Sequence, residues 1–194
     1  MPPSSTATPQ KTAPADDNRL IALVVGGDKH AFEQLYRSYF PRLGRFLNAM
    51  TRSVPLIEEV INDTMLVVWQ SALRFDGSCK LSTWIFAIAY RTACKAIRGL
   101  DEAQDCDVEA LEGDASHEPV HELDQQQLRR AIASALDDLP PTQRAVVLLT
   151  YHHDMSYADI ADIMDCPVNT VKTRMFHARR RLRQLLAGHQ EEVA

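Results

Sequence analysis

The sequence predicts an all-α protein: two small helical domains joined by an acidic flexible linker, the second a helix-turn-helix. Three observations carry this. Apolar residues recur every three or four positions over 16–100 and again over 125–188, and neither strand alternation nor an internal repeat stands out. Between those blocks, residues 101–124 hold ten acids and no Lys or Arg. The second block ends in DCPVNTVKTRMFHARRRLRQLL (165–186), where six Lys or Arg residues follow Asp165 with no acid among them.

Each element follows in order. Residues 1–15 are rich in Pro, Ser, Thr and Ala and lack an apolar core, so they read as a disordered tail rather than a secretory signal. RLIALVVGGDKHAF is an apolar run that stops at Gly26-Gly27. Phe32, Leu35, Tyr36, Tyr39, Leu43, Phe46, Leu47 and Met50 mark one face of a second helix, with Pro41 as a point of kinking. Pro55 suits the first turn of a third helix, whose inner face repeats Ile57, Val60, Ile61, Thr64, Met65, Val68 and Leu73. Asp76-Gly77-Ser78 signals a turn. The next helix spans 82–98, with Ser82 or Thr83 as N-cap and Gly99 as its stop.

Gly113, Pro119 and the absence of aromatics make 101–124 a solvated linker. Leu128, Ile132, Leu136 and Leu139 then stripe a helix that Pro140-Pro141 ends, opening the helix TQRAVVLLTYHHD. SYADIADIM begins with Ser156 and Asp159 in capping-box spacing and buries Ile160, Ile163 and Met164. Asp165-Cys166-Pro167 makes a short turn. The last helix starts near Val168, with Val171, Met175, Ala178, Leu182, Leu185 and Leu186 inward, and 189–194 form a tail.

The totals exclude several classes. No apolar run approaches the 18 or so residues that span a bilayer, so membrane insertion is not expected. The four cysteines form no CxxC pair and match no zinc spacing, which reads as reduced structural thiols in a cytoplasmic protein. His152-His153-Asp154 falls at a helix end without a further ligand, and His117 and His121 flank Pro119 in the linker, so no metal is expected. There is no phosphate-binding glycine loop and no nucleophile motif, and hence no cofactor or enzyme activity is expected. The net charge of −5 belongs mainly to the linker. Without its ten acids, 21 basic residues face 16 acidic ones, a net of +5, so a nucleic-acid partner fits.

Three constellations carry function. In the C-terminal helix pair, the inward Val171 and Met175 leave Asn169, Thr170, Lys172, Thr173, Phe176 and His177 outward, where polar side chains can reach base edges and a ring can touch a thymine methyl. Arg174 and Arg179, Arg180 and Arg181 lie along or beyond that face and suit phosphates. In the 82–98 helix, Arg91, Lys95 and Arg98 form a basic stripe beside Trp84, Phe86 and Tyr90, a pattern that single-stranded nucleic acid uses. Trp84 and Phe86 also fit as ordinary core residues. The third is EEVINDT, Glu58 to Thr64, a polar patch on an otherwise apolar helix, which suits protein docking.

In this order the pieces resemble a bacterial RNA polymerase sigma factor of the extracytoplasmic-function (ECF) group, over about 16–100 and 125–186. EEVINDTMLVVW is similar to the family's second conserved region. The resemblance implies docking on the β′ coiled coil of core polymerase through Glu58, Glu59, Asn62 and Asp63, although the family more often has Asp and Gln where this chain has Glu59 and Asn62. RFDGSCKLSTWIFAIAYRTACKAIR is similar to the part that opens and reads the minus-10 element. It implies a base-holding loop of Phe75, Asp76, Gly77, Ser78 and Lys80, backed by Tyr90, Arg91, Lys95 and Arg98. The 136–182 stretch is similar to the fourth region. It implies minus-35 contacts from Lys172, Thr173, Arg174, Phe176 and His177, with His177 standing where some relatives carry Arg, and contact with the polymerase β flap. It further implies promoter-specific initiation for a stress or envelope regulon, a cognate anti-sigma factor, and a linker threading the polymerase cleft. The alternative is a stand-alone helix-turn-helix regulator using 125–188 alone.

Overall fold

The computed structural model describes residues 14–104 and 123–191, all of its regular structure helical. Of the expected tails (1–15 and 189–194) and linker (101–124), residues 1–13, 192–194 and 105–122 lie outside the described residues, whereas 14–15, 189–191, 101–104 and 123–124 continue the neighbouring helices. The helices are α1 (Pro14–Val25), α2 (Lys29–Leu47), α3 (Val54–Ser71), α4 (Leu81–Gln104), α5 (Leu123–Asp137), α6 (Pro141–Tyr151), α7 (Tyr157–Met164) and α8 (Val168–Glu191), with a single 3₁₀ turn at Ala72–Arg74 after α3.

Local chemistry sets most of these boundaries. Gly27 adopts φ +83, a left-handed conformation that ends α1 at little steric cost. Asp28 then caps α2, its carboxylate accepting from the backbone N–H of His30 at 2.8 Å and Ala31 at 3.1 Å. α2 continues through Pro41 and buries Leu35, Tyr39, Leu43, Phe46 and Leu47. α6 opens with Pro141 in its first turn. Ser156 and Asp159 form a complete capping box on α7. Asp165, left-handed at φ 48, turns the chain from α7 towards α8.

Three sequence expectations shift. Ser82 and Thr83 sit inside α4 rather than capping it, and Gly99 keeps the helix going to Gln104, because a helical glycine costs only about 1 kcal/mol against Ala and does not by itself break a helix. Leu73 is 81% exposed, since the 3₁₀ turn ends the 3.6-residue period that would have carried it inward. Ile132 is 40% exposed, because α5 turns Ala135 inward, with Leu139 buried just beyond its end.

α1 to α4 pack around Leu35, Tyr39, Phe46, Ile61, Met65, Ile85 and Phe86, and α6 to α8 around Val146, Leu149, Ile160, Ile163, Val171 and Met175. These sets join in one continuous hydrophobic core. α7 lies directly on α4, and α6 meets α2. The two blocks that read as separate units in sequence are therefore docked face to face.

Candidate nucleic-acid interface

α8 owes its two faces to one register. Val171, Met175 and Ala178 are buried against α6 and α7, which forces Asn169, Lys172, Thr173, Phe176, His177, Arg180 and Arg181 outward. Phe176 is 63% exposed and lies edge-on to His177 at 5.5 Å, an apolar side chain held at the surface. Asn169, Thr170, Thr173, Arg174 and His177 converge on one open hollow of about 300 Å³, completed by Gln143 of α6. Gln143 was not singled out from sequence, since nothing local links it to α8.

Two arginines of this set are engaged within the protein. The Arg174 guanidinium turns back over the helix turn, its Nη1 3.6 Å from Cys166 Sγ and 3.9 Å from Met164 Sδ. Sulfur is a weak acceptor, so these contacts hold the group without neutralising it. Arg179 donates from Nε at 3.2 Å and Nη2 at 2.7 Å to the Tyr151 hydroxyl.

On α4, Arg91, Lys95 and Arg98 are exposed, as their spacing required, and Arg98 Nε donates to the Cys94 carbonyl at 3.1 Å. Tyr90 is half-buried; burial and then Cys94 push its hydroxyl up to about 12, partly offset by the nearby Arg174 charge. The preceding loop is shaped by Gly77 at φ +75 and by Asp76, whose Oδ1 accepts from Ser78 N at 2.9 Å. The side-chain and backbone hydrogen bonds from Ser78 hold the Asp76 carboxyl below the usual range. Phe75 packs on Trp84 with ring centroids 5.4 Å apart, whereas Phe86 is fully buried against Phe46 at 5.3 Å. Of the aromatics on this helix, Phe86 is core, and Trp84 and Tyr90 stay half-exposed.

α3 presents Glu58, Glu59, Asn62 and Asp63 to solvent while Leu56, Ile57, Val60, Ile61, Thr64 and Met65 go inward. The buried Thr64 hydroxyl donates to the Val60 carbonyl at 2.6 Å, so its polar atom is satisfied. Asn62 Oδ1 accepts from the Tyr36 hydroxyl at 2.8 Å. It stands on the rim of an open apolar groove of about 430 Å³ between α2 and α3, lined by Phe32, Tyr36, Met65, Leu66 and Trp69.

Comparison with known proteins places both blocks in known families. Residues 35–102 match the Sigma-70 region 2 family and residues 129–182 the Sigma-70, region 4 family. The chain is 30% identical to the ECF RNA polymerase sigma-E factor of Haemophilus influenzae, across 84% of this chain and 91% of that one. It is 32% identical to the ECF RNA polymerase sigma factor RpoE of Cereibacter sphaeroides, across 81% and 87%. The chain belongs to the ECF RNA polymerase sigma factors. It is also similar to the sigma factor RpoE of Bartonella quintana, solved in complex with the anti-sigma factor NepR: TM-score 0.66, 29% identity, 80% of this chain and 96% of that one.

Family membership decides against a stand-alone regulator and gives the helix pair α7–α8 its context as region 4 of a sigma factor. The contacts between the sigma factor's two matched regions were not legible in sequence. Asp159 of α7 accepts from Lys80 Nζ at 3.0 Å and from Thr83 Oγ1 at 2.9 Å. Arg52, between α2 and α3, pairs with Asp137 at the end of α5 at 2.8 Å. His153 packs on Phe86 with centroids 4.8 Å apart. Among the described residues, no helix is long and apolar enough to cross a membrane.

Proposed function

We propose that this ECF sigma factor reads its promoter with α8 and the 75–98 segment and grips core polymerase with α3. The observation that carries the reading is the split of α8: its buried seam fixes a solvent face of Lys172, Thr173, Phe176 and His177 around the hollow shared with Gln143. Lys172, Asn169 and Thr173 suit base edges of the minus-35 duplex, Phe176 suits a thymine methyl, and Arg180 and Arg181 suit phosphates. Arg174 and Arg179 would join after leaving their intramolecular partners. Phe75, Asp76, Gly77, Ser78 and Lys80, with Tyr90, Arg91, Lys95 and Arg98, would receive unpaired minus-10 bases, the half-exposed rings offering stacking surfaces. Glu58, Glu59, Asn62 and Asp63, beside the apolar groove, suit a helical coiled coil such as that of β′.

The protein acts without a cofactor or an enzymatic step of its own, in the cytoplasm where polymerase and promoter lie. Residues 16–100 and 125–188 serve as its two functional units, with 101–124 as the connector and the β flap as a second polymerase contact. Each DNA contact alone resembles weak binding, of about micromolar Kd or weaker, and becomes effective when both are tethered on one polymerase. An anti-sigma factor would hold it in check, as one accompanies the Bartonella quintana relative, and its regulon would answer stress or envelope damage. The test is reconstitution with core polymerase and run-off transcription on genomic templates. Start sites sharing a minus-35 and a minus-10 element are expected, and failure to bind core polymerase would sink the reading.

A further inference from the structure

We propose that the free protein latches itself shut, with α7 covering the start of α4 and Asp159 as the latch. The inference rests on the assignment of Lys80 to the minus-10 surface. The contacts of Asp159 with Lys80 and Thr83 stand independently of it.

Asp159 is placed for two tasks. Within α7 its Oδ2 closes the capping box, accepting from Ser156 N at 3.1 Å and Ser156 Oγ at 2.7 Å. Across the domain boundary the same carboxylate takes Lys80 Nζ on Oδ2 and Thr83 Oγ1 on Oδ1. Thr83 is only 1% exposed, so its hydroxyl is committed to this partner rather than to water. Burial alone would raise the Asp159 carboxyl; the hydrogen bonds from Ser156, Lys80 and Thr83 outweigh it and hold the group at about 2. The carboxylate is thus charged and fully engaged in the docked state.

Occupancy is the consequence. Lys80, which would face a DNA phosphate or base, is taken by a carboxylate that imitates one. Thr83, three residues on and at the start of α4, is tied to the same carboxylate, so α7 stands over the entrance to the minus-10 surface. A Lys80 held by α7 is not free for DNA, and opening must precede promoter capture. The docking is also sealed by stacking. His153, between α6 and α7, lies against Phe86, with its Nε2 buried and lacking a hydrogen-bond partner among the described residues. The charged and titratable groups that act on it are Arg42 and Arg45 of α2 and His152 and Asp154 of its own segment, and from α4 the Phe86 ring packs on it.

The experiment uses the full chain without polymerase or DNA. Donor and acceptor dyes are placed through non-natural residues at exposed Gln70 of α3 and Gln184 of α8, and energy transfer is read from single molecules. The wild type should show one high-transfer population. Thr83→Val and Asp159→Asn should each raise the low-transfer fraction roughly tenfold or more, the scale set by a buried hydrogen-bonding group losing its partner. Ser156→Ala removes the capping hydroxyl but leaves both interdomain partners in place, and should stay in the high-transfer population. A wild type already in the low-transfer state overturns the proposal. So does an unchanged distribution in both Thr83→Val and Asp159→Asn, or equal opening in Ser156→Ala, which would reduce the effect to loss of α7. Because no promoter enters the assay, these failures are separate from failure of the run-off test.

Discussion

Acidification should open the protein through His153. The ring is mostly buried against Phe86, and burial first, then the charges of Arg42, His152 and Arg45, pull its pKa from the ordinary 6.5 to about 4. In an open form the ring would meet water and regain its ordinary value. Between about pH 4 and pH 6.5 the open form therefore binds more protons, and closure loses stability as pH falls through that window. Above it, His153 is neutral in both forms and closure is fully stable. Moving from about pH 8 to about pH 5 should favour opening by about 30-fold, trimmed towards tenfold because solvent reaches part of the ring. Asp159 does not obscure this. Its lowered pKa stabilises closure above the ordinary 3.8, and that contribution fades only as pH falls towards about 2. The same two-dye transfer measurement, taken across pH, gives the ratio, with far-ultraviolet circular dichroism to confirm that the helices persist. His153→Phe should flatten the response. A wild-type ratio that does not move, or an equal response in His153→Phe, would refute the assignment.

Other outcomes follow from the same geometry. Lys172→Ala should cut run-off transcription from minus-35-dependent promoters by about 1–3 kcal/mol if the contact is a good base contact, and unchanged transcription at every promoter would remove Lys172 from the reading surface. Glu59→Lys with Asp63→Lys should weaken core polymerase capture in a pull-down while the thermal melt stays within about 0.5 kcal/mol of wild type, because both residues are exposed. Tyr39→Phe should lower stability by about 1–3 kcal/mol in a thermal or urea melt. The Tyr39 hydroxyl donates to buried Asp17 Oδ2 at 2.7 Å, and the other Asp17 oxygen is buried without a hydrogen-bond partner among the described residues.

Sequence revealed what depends on neighbours along the chain. Helix periods, Gly26-Gly27, Pro141, the Ser156–Asp159 capping box and the Asp165–Pro167 turn are short-range effects, and each lies where its chemistry placed it. The outward set on α8 was legible for the same reason: Val171, Met175 and Ala178 fix the rotation of the helix. What escaped depends on distant partners. Thr83 resembled an N-cap because its true partner, Asp159, lies 76 residues on. Arg174 has the spacing of an outward residue, but a long side chain can fold back, and the sulfur atoms of Met164 and Cys166 receive it. Gln143 enters the α8 hollow through packing of α6 on α8, which no single-helix pattern encodes.

The shared use of Asp159 also bears on how the protein can vary. One carboxylate starts a helix of region 4 and fastens that region to region 2, so a change there disturbs two properties at once. Thr83 has only the second task. A genetic selection for variants that fire without their inducing signal should therefore accumulate substitutions at Thr83 and its surroundings. Those at Asp159 should surface rarely, and then with second-site changes that repair the start of α7.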